Sequence, residues 1–166
     1  HAAFQQRIAN PSTLARLKSE MRTIFPQQVF GGPASILFRS LPAAPDYQGK
    51  SLSDYLKTHG KAETIEAAVD AVIELQNVDR FTGIFQGMSE ADVVRIMKHP
   101  RAMFETDGDL VEFGEGHPHP RSYGSFPRIL GKYVREDSVL TLETAIHKMT
   151  QMPARWLGQT DRGELR

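Results

Sequence analysis

The stretch "MFETDGDLVEFGEGHPHPRSYGSFPRILGKYVRE", residues 103–136, contains the clearest boundary between a strand and a loop in the sequence. A short apolar run ends in Thr106-Asp107-Gly108, and a proline-rich loop with two histidines and Arg121 follows before a helical pattern begins. An Asp-Gly pair by itself is a common turn signal. In parallel α/β sheets, however, functional side chains collect where strands end. Two interpretations of Asp107 are therefore open, a turn residue and a carboxylate that takes part in a reaction.

The loop that follows Asp107 is long for its place in the chain. From Gly108 to Gly124 it exceeds the usual strand-to-helix connection of roughly 2–6 residues, and loops of such length are usually functional or disordered. Its aromatic residues and rigid prolines favour a packed loop. Zinc catalysis usually requires three protein ligands, so His117 and His119 alone are not a complete metal site. Packing or hydrogen bonding is the alternative role for this pair.

Arg121 is the cation of this loop. A guanidinium can hold a carboxylate through two parallel hydrogen bonds, which a lysine cannot do. The alternative is an internal salt bridge, with Glu112 or Glu115 as the candidate partners. The residues alone leave these two roles equally open.

Outside this stretch, apolar residues at three- and four-residue intervals predict helices, and short apolar runs predict strands. Ser51 and Asp54 have the spacing of a capping box in which Asp replaces the usual Glu or Gln. The alternation of strands and amphipathic helices predicts parallel pairing through helical crossovers, and hence an α/β fold. The expected helices lie at about residues 10–25, 63–76, 89–98, 125–135 and 141–149, and the expected strands at 34–38, 81–85 and 102–106.

Length and composition exclude several classes of function. A chain of 166 residues is long enough for one compact domain. Twenty Lys and Arg balance twenty Asp and Glu, and without a basic stripe we expect no nucleic-acid partner. No apolar run approaches the roughly 20 residues that span a bilayer, so no membrane partner is expected. The absence of cysteine excludes disulfides and thiolate ligands within these residues and fits a cytoplasmic location.

Several runs of the sequence resemble one enzyme family. The C-terminal runs "TDGD", "HPHPRSYGSFPRILGKYVRED", "VLTLETAIHKMTQMPARWLG" and "DRGELR" are similar to the C-terminal part of the N-acyl-D-amino-acid deacylases, the D-aminoacylases of the amidohydrolase superfamily. A weaker resemblance extends upstream through "MSEADVVRIMKHP", "PDYQGKSLSDYL" and "RIANPSTLARLKSEM". The most specific motif is the HPR-x-[YW]-G-x-F-x-R-x-L-G pattern, which here runs from His119 to Gly131.

The resemblance implies a zinc-dependent enzyme that hydrolyses the amide of an N-acyl-D-amino acid to a D-amino acid and a carboxylate. The implied fold is a (β/α)₈ TIM-type amidohydrolase barrel, of which this chain supplies the C-terminal portion, about three βα units. Asp107 matches the aspartate after the last barrel strand, which relays a proton between the metal-bound water and the departing amine and belongs to the metal site. Arg121 matches the arginine that binds the substrate's α-carboxylate, and His119 lies beside it as a second substrate-binding residue.

The chain departs from the family pattern in its metal ligands. In the family, a His-x-His pair near the first strand, a cysteine and further histidines hold the metal, and the matching segments do not occur in this sequence. We therefore expect residues 1–166 to be a single partial domain with most zinc ligands outside it, and the remainder of the deacylase polypeptide to be its partner. Alone, it is expected to bind zinc weakly and hydrolyse little.

Two other functions stay open at this stage. One is a non-catalytic α/β fragment that serves packing or self-association. The other keeps the barrel but acts on a cyclic amide, as hydantoinase-like relatives do. Arg121 separates the two hydrolytic alternatives, because a free α-carboxylate needs a cationic partner and a cyclic amide does not.

Overall fold

The computed structural model describes residues 1–114 and 116–164. Within these ranges, no helix combines the length and apolar character needed to cross a membrane. The α-helices are α1 (Ala2–Ile8), α2 (Pro11–Gln28), α3 (Leu52–Thr58), α4 (Ile65–Val78), α5 (Glu90–Lys98), α6 (Arg121–Arg128), α7 (Leu142–Met149) and α8 (Gln151–Trp156). The strands are β1 (Ile36–Ser40) and β2 (Thr82–Phe85), and short 3₁₀ turns occupy Gly32–Ser35 and Pro45–Tyr47.

The chain forms two compact units. Unit 1 consists of His1–Ser89 with Gly114–His117, and unit 2 of the described part of Glu90–Phe113 and Pro118–Arg166. The fold is thus mixed α/β and rich in helix. The expectation of a single partial domain is not tested by this division and stays a prediction.

Helix starts follow the capping residues that the sequence predicts. Asn10 Oδ1 accepts hydrogen bonds from the backbone N–H groups of Ser12 and Thr13 at 3.0 and 3.2 Å, ahead of α2. The capping box at α3 is confirmed: Asp54 N–H donates to Ser51 Oγ at 3.1 Å, and Ser51 N–H donates to Asp54 Oδ2 at 2.9 Å. These contacts satisfy backbone donors that have no partner inside the first turn of a helix.

The strands of unit 1 pair in the opposite sense to the prediction. Strands β1 and β2 are antiparallel, with Ile36 opposite Phe85 and Phe38 opposite Gly83, so the predicted parallel pairing is wrong for them. The physical reason is visible in β1, where Ile36 and Phe38 are buried and Leu37 between them is exposed. One covered and one open face is typical of antiparallel sheets, whereas parallel strands are covered on both faces.

The predicted third strand, 102–106, is also wrong, because this segment has no regular secondary structure. The backbone N–H of Phe104 donates to the carbonyl oxygen of Lys148, at the end of α7, at 3.1 Å. The Lys148 ammonium in turn donates to the carbonyl oxygens of His99 and Ala102. The segment therefore takes its hydrogen bonds from a helix end, and a strand requires a neighbouring strand to satisfy its backbone.

The helix after the loop begins earlier than expected, at Arg121 instead of Ser125, and it changes character along its length. Helix α6 ends at Arg128, and a π-helical segment continues from Ile129 to Glu136. Pro127 lies at this junction and has no N–H to donate into the α-helical ladder. The wider hydrogen-bond spacing of a π-helix therefore follows the proline.

Each unit has a core built from its own side chains. The core of unit 1 surrounds Phe38, which is fully buried and meets Tyr55 and Phe81 edge to face, with ring centroids 6.1 and 5.7 Å away. The core of unit 2 is smaller and lies between α5, the π-helical segment and α7. Its buried members are Met97, Ile129, Tyr133 and Ala145.

Candidate active site

Asp107 and Arg121 meet in unit 2 as an ion pair. Arg121 Nε lies 2.9 Å from Asp107 Oδ1, although fourteen positions separate the residues in the sequence. The side chains are 66% and 44% exposed for Asp107 and Arg121, respectively. An ion pair this exposed contributes about 0–1 kcal/mol to stability. Its importance is therefore its geometry, since it places a carboxylate and a guanidinium at one accessible point.

The backbones of the two segments approach closely at Gly108. A Cβ atom at this position would lie 2.6 Å from Ser122 Cα and 3.0 Å from the Arg121 carbonyl oxygen, closer than real Cβ atoms come. Only glycine leaves room for this approach. Gly108 is thus the point of contact with the start of α6, and a part for Asp107 in a reaction stays a prediction.

His119 holds the start of α6. Its Nδ1 accepts a hydrogen bond from the Arg121 backbone N–H at 3.1 Å, which satisfies a donor at the helix N-terminus. His119 and Arg121 also line a cavity of about 440 Å³. The other lining residues are Pro120, Gly124, Ser125 and Arg128. The structure thus brings the predicted substrate-binding residues together at one cavity.

Tyr123 fastens the long loop to α6. Its hydroxyl donates to the Glu112 carbonyl oxygen at 3.0 Å, and its ring meets the ring of Phe113 edge to face, with centroids 6.2 Å apart. The prediction of a packed loop holds only in part, because Phe113 is 95% exposed despite this contact. The sequence predicted that the aromatic residues of this segment pack, and the structure gives Tyr123 a specific partner in the Glu112 carbonyl oxygen.

The predicted histidine pair does not form a metal site in the described structure. His117 belongs to unit 1, where its ring lies so close to Gly49 that a Cβ atom there would be 2.5 Å from Cε1. Over residues 1–114 and 116–164, no three His, Cys, Asp or Glu side chains are grouped to hold a metal ion. Arg121 forms an internal salt bridge, which was the alternative role, but its partner is Asp107 and not Glu112; Glu115 lies outside the described residues.

Sequence reasoning also missed two hydroxyl groups beside the ion pair. Thr106 Oγ1 donates to the Arg121 carbonyl oxygen at 2.8 Å. The Ser122 hydroxyl oxygen is buried and has no hydrogen-bond partner within the described part of the chain. Their positions directly before Asp107 and after Arg121 were the only sequence signal, because hydroxyl residues are common at turns and helix starts.

Comparison with known proteins confirms the predicted resemblance. No family model matches the chain. An N-acyl-D-glutamate deacylase of Alcaligenes xylosoxydans xylosoxydans is 40% identical over 121 residues, which are 73% of this chain and 22% of that protein. An N-acyl-D-aspartate deacylase of the same organism is 49% identical over 79 residues, 48% of this chain and 15% of that protein. The chain thus spans about a fifth of the length of the curated relatives.

Solved structures of the same kind share the fold. The N-acyl-D-glutamate deacylase of Bordetella bronchiseptica, complexed with zinc and a phosphonate mimic of the tetrahedral intermediate, matches with a TM-score of 0.62 and 32% identity. That match covers 87% of this chain and 27% of the Bordetella chain. A D-aminoacylase structure that defines a subset of amidohydrolases matches with a TM-score of 0.62 and 26% identity, over 90% of this chain and 34% of its own.

Proposed function

We propose that this chain is part of an N-acyl-D-amino-acid deacylase, which hydrolyses the amide bond of its substrate to a D-amino acid and a carboxylate. The observation that carries the proposal is the Asp107–Arg121 contact of 2.9 Å inside the segment that is similar to named deacylases. A guanidinium that already holds one carboxylate is suited to the α-carboxylate of an N-acyl amino acid.

In this proposal Arg121 binds and orients the substrate. Its guanidinium is planar and has five N–H donors in fixed directions, and Nε is the nitrogen that lies 2.9 Å from Asp107 Oδ1. A bound carboxylate would use the edge formed by the two Nη atoms, while His119 lines the same cavity. Substrate and Asp107 can therefore share one arginine.

Asp107 would then transfer protons as a general base and general acid. A carboxylate within hydrogen-bonding distance of the scissile amide can accept a proton from the attacking water and deliver it to the departing nitrogen. The C–N bond breaks as that nitrogen gains the proton, and the acyl group leaves as a carboxylate. Since Arg121 fixes both the substrate and Asp107, the proton would travel between groups that are already oriented.

We propose zinc as the metal because the Bordetella relative is complexed with zinc. The described residues of this chain do not fit a zinc site of their own, because no group of three suitable side chains is present among them and Asp107 contacts Arg121. Ligation of a metal by Asp107 stays a prediction. Most ligands would come from the remainder of the deacylase polypeptide.

For the fold we infer the C-terminal portion of a (β/α)₈ barrel, about three βα units. The amidohydrolase-fold neighbours support this placement. In a closed barrel, each strand pairs with a parallel strand on either side. Strands β1 and β2 are antiparallel to each other, so parallel neighbours would have to come from the remainder of the deacylase polypeptide.

A chimera tests the proposed function. Residues 1–166 replace the matching segment of the Bordetella deacylase, and hydrolysis of N-acetyl-D-glutamate and N-acetyl-D-methionine is measured with added zinc. The chimera should hydrolyse at least one of them, and Asp107→Ala should reduce kcat by roughly 10²–10⁴, the range for removal of an acid–base group. Asp107→Asn is the matched control of similar shape. Unchanged turnover in both Asp107 variants would contradict the proposal.

The same chimera separates the alternatives. Hydrolysis of a hydantoin in preference to either N-acetyl-D-amino acid would favour a cyclic amidase. A chain that assembles with itself, and restores no hydrolysis in the chimera, would favour the non-catalytic module. The ion pair lies in the segment that is similar to named deacylases, and this similarity supports the deacylase over both alternatives.

A further inference from the structure

The hydroxyl of Thr106 contacts both segments that carry the ion pair. Thr106 Oγ1 donates to the Arg121 carbonyl oxygen at 2.8 Å. It accepts from the Gly108 backbone N–H at 3.2 Å and from the Ser125 hydroxyl at 3.3 Å. A hydroxyl has one donor and two acceptor positions, so these three contacts use its full capacity.

Only one of the three contacts is purely local. A threonine hydroxyl that accepts from the N–H two residues ahead is a common turn motif, and the contact with Gly108 is of this kind. The contact with Arg121 joins residues fifteen positions apart and ties the turn to the first residue of α6. The hydroxyl therefore does more than stabilise the turn of which it is part.

The ion pair needs such a tie. Arg121 has a long side chain whose ordering costs rotamer entropy, and its contact with Asp107 is exposed to solvent. Two exposed side chains stay in contact for most of the time only if their backbones are held at the right separation. Thr106 precedes Asp107 and binds the carbonyl of Arg121 itself, so it fixes that separation at both residues.

We infer that Thr106 is a positioning residue, whose hydroxyl holds the Asp107 carboxylate and the Arg121 guanidinium at ion-pair distance. Its relevance to catalysis rests on the proposed function, whereas the positioning itself is a property of this chain. Valine in its place would put a methyl group where the hydroxyl now donates at 2.8 Å, closer than carbon and oxygen pack, so the two segments would move apart.

The test follows the Arg121 Nε–H group by NMR in this chain, through its rate of exchange with solvent hydrogen. Thr106→Val should speed this exchange about fivefold, because the Asp107 carboxylate oxygen that now lies 2.9 Å from Nε would move away. Thr106→Ser retains the hydroxyl and should stay within about twofold of the wild type on the same scale. Thr106→Ala removes the hydroxyl without adding the opposing methyl group, and it serves as a second variant if the valine substitution prevents folding.

Thr141→Val is the matched control. Thr141 Oγ1 accepts from the Thr144 N–H at 3.2 Å at the start of α7, so its loss weakens unit 2 through a comparable hydroxyl that makes no contact with Arg121. It should leave the exchange of the Arg121 Nε–H unchanged. Equal acceleration of the exchange in Thr106→Val and Thr141→Val would overturn the inference. Unchanged exchange in both Thr106→Val and Thr106→Ala would also overturn it.

The chimera distinguishes this inference from the proposed function. If both hold, Thr106→Val lowers kcat and raises KM together, and Thr106→Ser restores both, because the proton-transfer group and the carboxylate-binding group lose their alignment at once. If the wild-type chimera hydrolyses nothing while the Arg121 signal responds to Thr106→Val as expected, the deacylase proposal fails and the positioning role stands.

Discussion

At the scale of single residues, Arg121 is the side chain whose chemistry is most specific. Arg121→Met in the chimera should raise KM for N-acetyl-D-amino acids by roughly 10- to 150-fold, the value of about 1.5–3 kcal/mol for hydrogen bonds to a charged group. Arg121→Lys keeps the charge but not the paired donors, so KM should lie between the two. Steady-state kinetics measures this. A KM in Arg121→Met equal to that of the wild type would show that another group binds the carboxylate.

Gly108 is expected to tolerate no side chain. A Cβ atom would lie 2.6 Å from Ser122 Cα, and because that atom is backbone it cannot rotate away. Gly108→Ala should therefore lower the free energy of unfolding of unit 2 by about 1–3 kcal/mol, the usual cost of overpacking. The matched control is Gly124→Ala in α6, where a Cβ atom meets nothing within 4 Å. Urea unfolding of both variants provides the comparison, and equal stability would contradict the close approach.

The sequence predicts the chemistry of the ion pair better than its geometry. The resemblance implies proton transfer for Asp107 and carboxylate binding for Arg121, and the structure places the two side chains in direct contact. An aspartate at the end of an apolar run and an arginine in a signature motif are visible in the sequence. A backbone tie such as that of Thr106 is not, because a threonine beside Asp-Gly has the same appearance whether its hydroxyl binds its own turn or a distant helix.

At the scale of elements, the capping box of α3 predicts a dependence of stability on pH. Hydrogen bonds from the Ser51 hydroxyl and backbone N–H lower the pKa of Asp54 below its ordinary value of 3.8. Because the folded-state pKa is the lower one, the stabilisation is fully present above pH 3.8 and is lost as the pH falls through the folded-state pKa. The carboxylate also lies in the first turn of α3, where negative charge is favourable.

Asp54→Asn should therefore reduce the free energy of unfolding of unit 1 by about 0.3–1 kcal/mol at neutral pH, as for a charge at a helix N-terminus. The difference from the wild type should shrink below pH 3.8. Urea titrations followed by circular dichroism at several pH values measure it. In the Ser51→Ala background, which lacks the hydroxyl donor, the pH-dependent part should be smaller. A difference that does not change with pH would exclude the carboxylate as its source.

Helices were predicted more accurately than strands, and the reason is physical. A helix satisfies its backbone hydrogen bonds within one segment. The caps at Asn10 and Ser51 and the apolar spacing of α4 are therefore sufficient to predict these helices. A strand depends on its neighbours. The alternation of strands and helices predicted parallel strands joined by crossovers. In the structure β1 pairs with β2 in the antiparallel sense, and residues 102–106 form a hydrogen bond with the end of α7. The early start of α6 depends on His119, whose side chain accepts from the Arg121 N–H.

At the scale of the whole molecule, the two cores suggest two cooperative units. All members of the core cluster around Phe38 and Leu56 belong to unit 1, and all members of the cluster around Ile129 and Tyr133 belong to unit 2. Cooperativity in folding follows shared packing, and regions that share little can open at different free energies. The prediction of a single partial domain requires instead that damage to one core be felt throughout the chain.

Two matched cavity variants decide between these outcomes. Leu56→Ala and Ile129→Ala each remove a buried aliphatic side chain, at a cost of about 2–5 kcal/mol. If the units are separately cooperative, native-state hydrogen exchange should show Leu56→Ala accelerating the amides of α4 and leaving those of α7 unchanged, and Ile129→Ala doing the reverse. If instead each variant accelerates α4 and α7 equally, the chain unfolds as one domain. In the chimera, where the other barrel strands are present, both variants should accelerate both helices, because a closed barrel joins its strands in a continuous ladder.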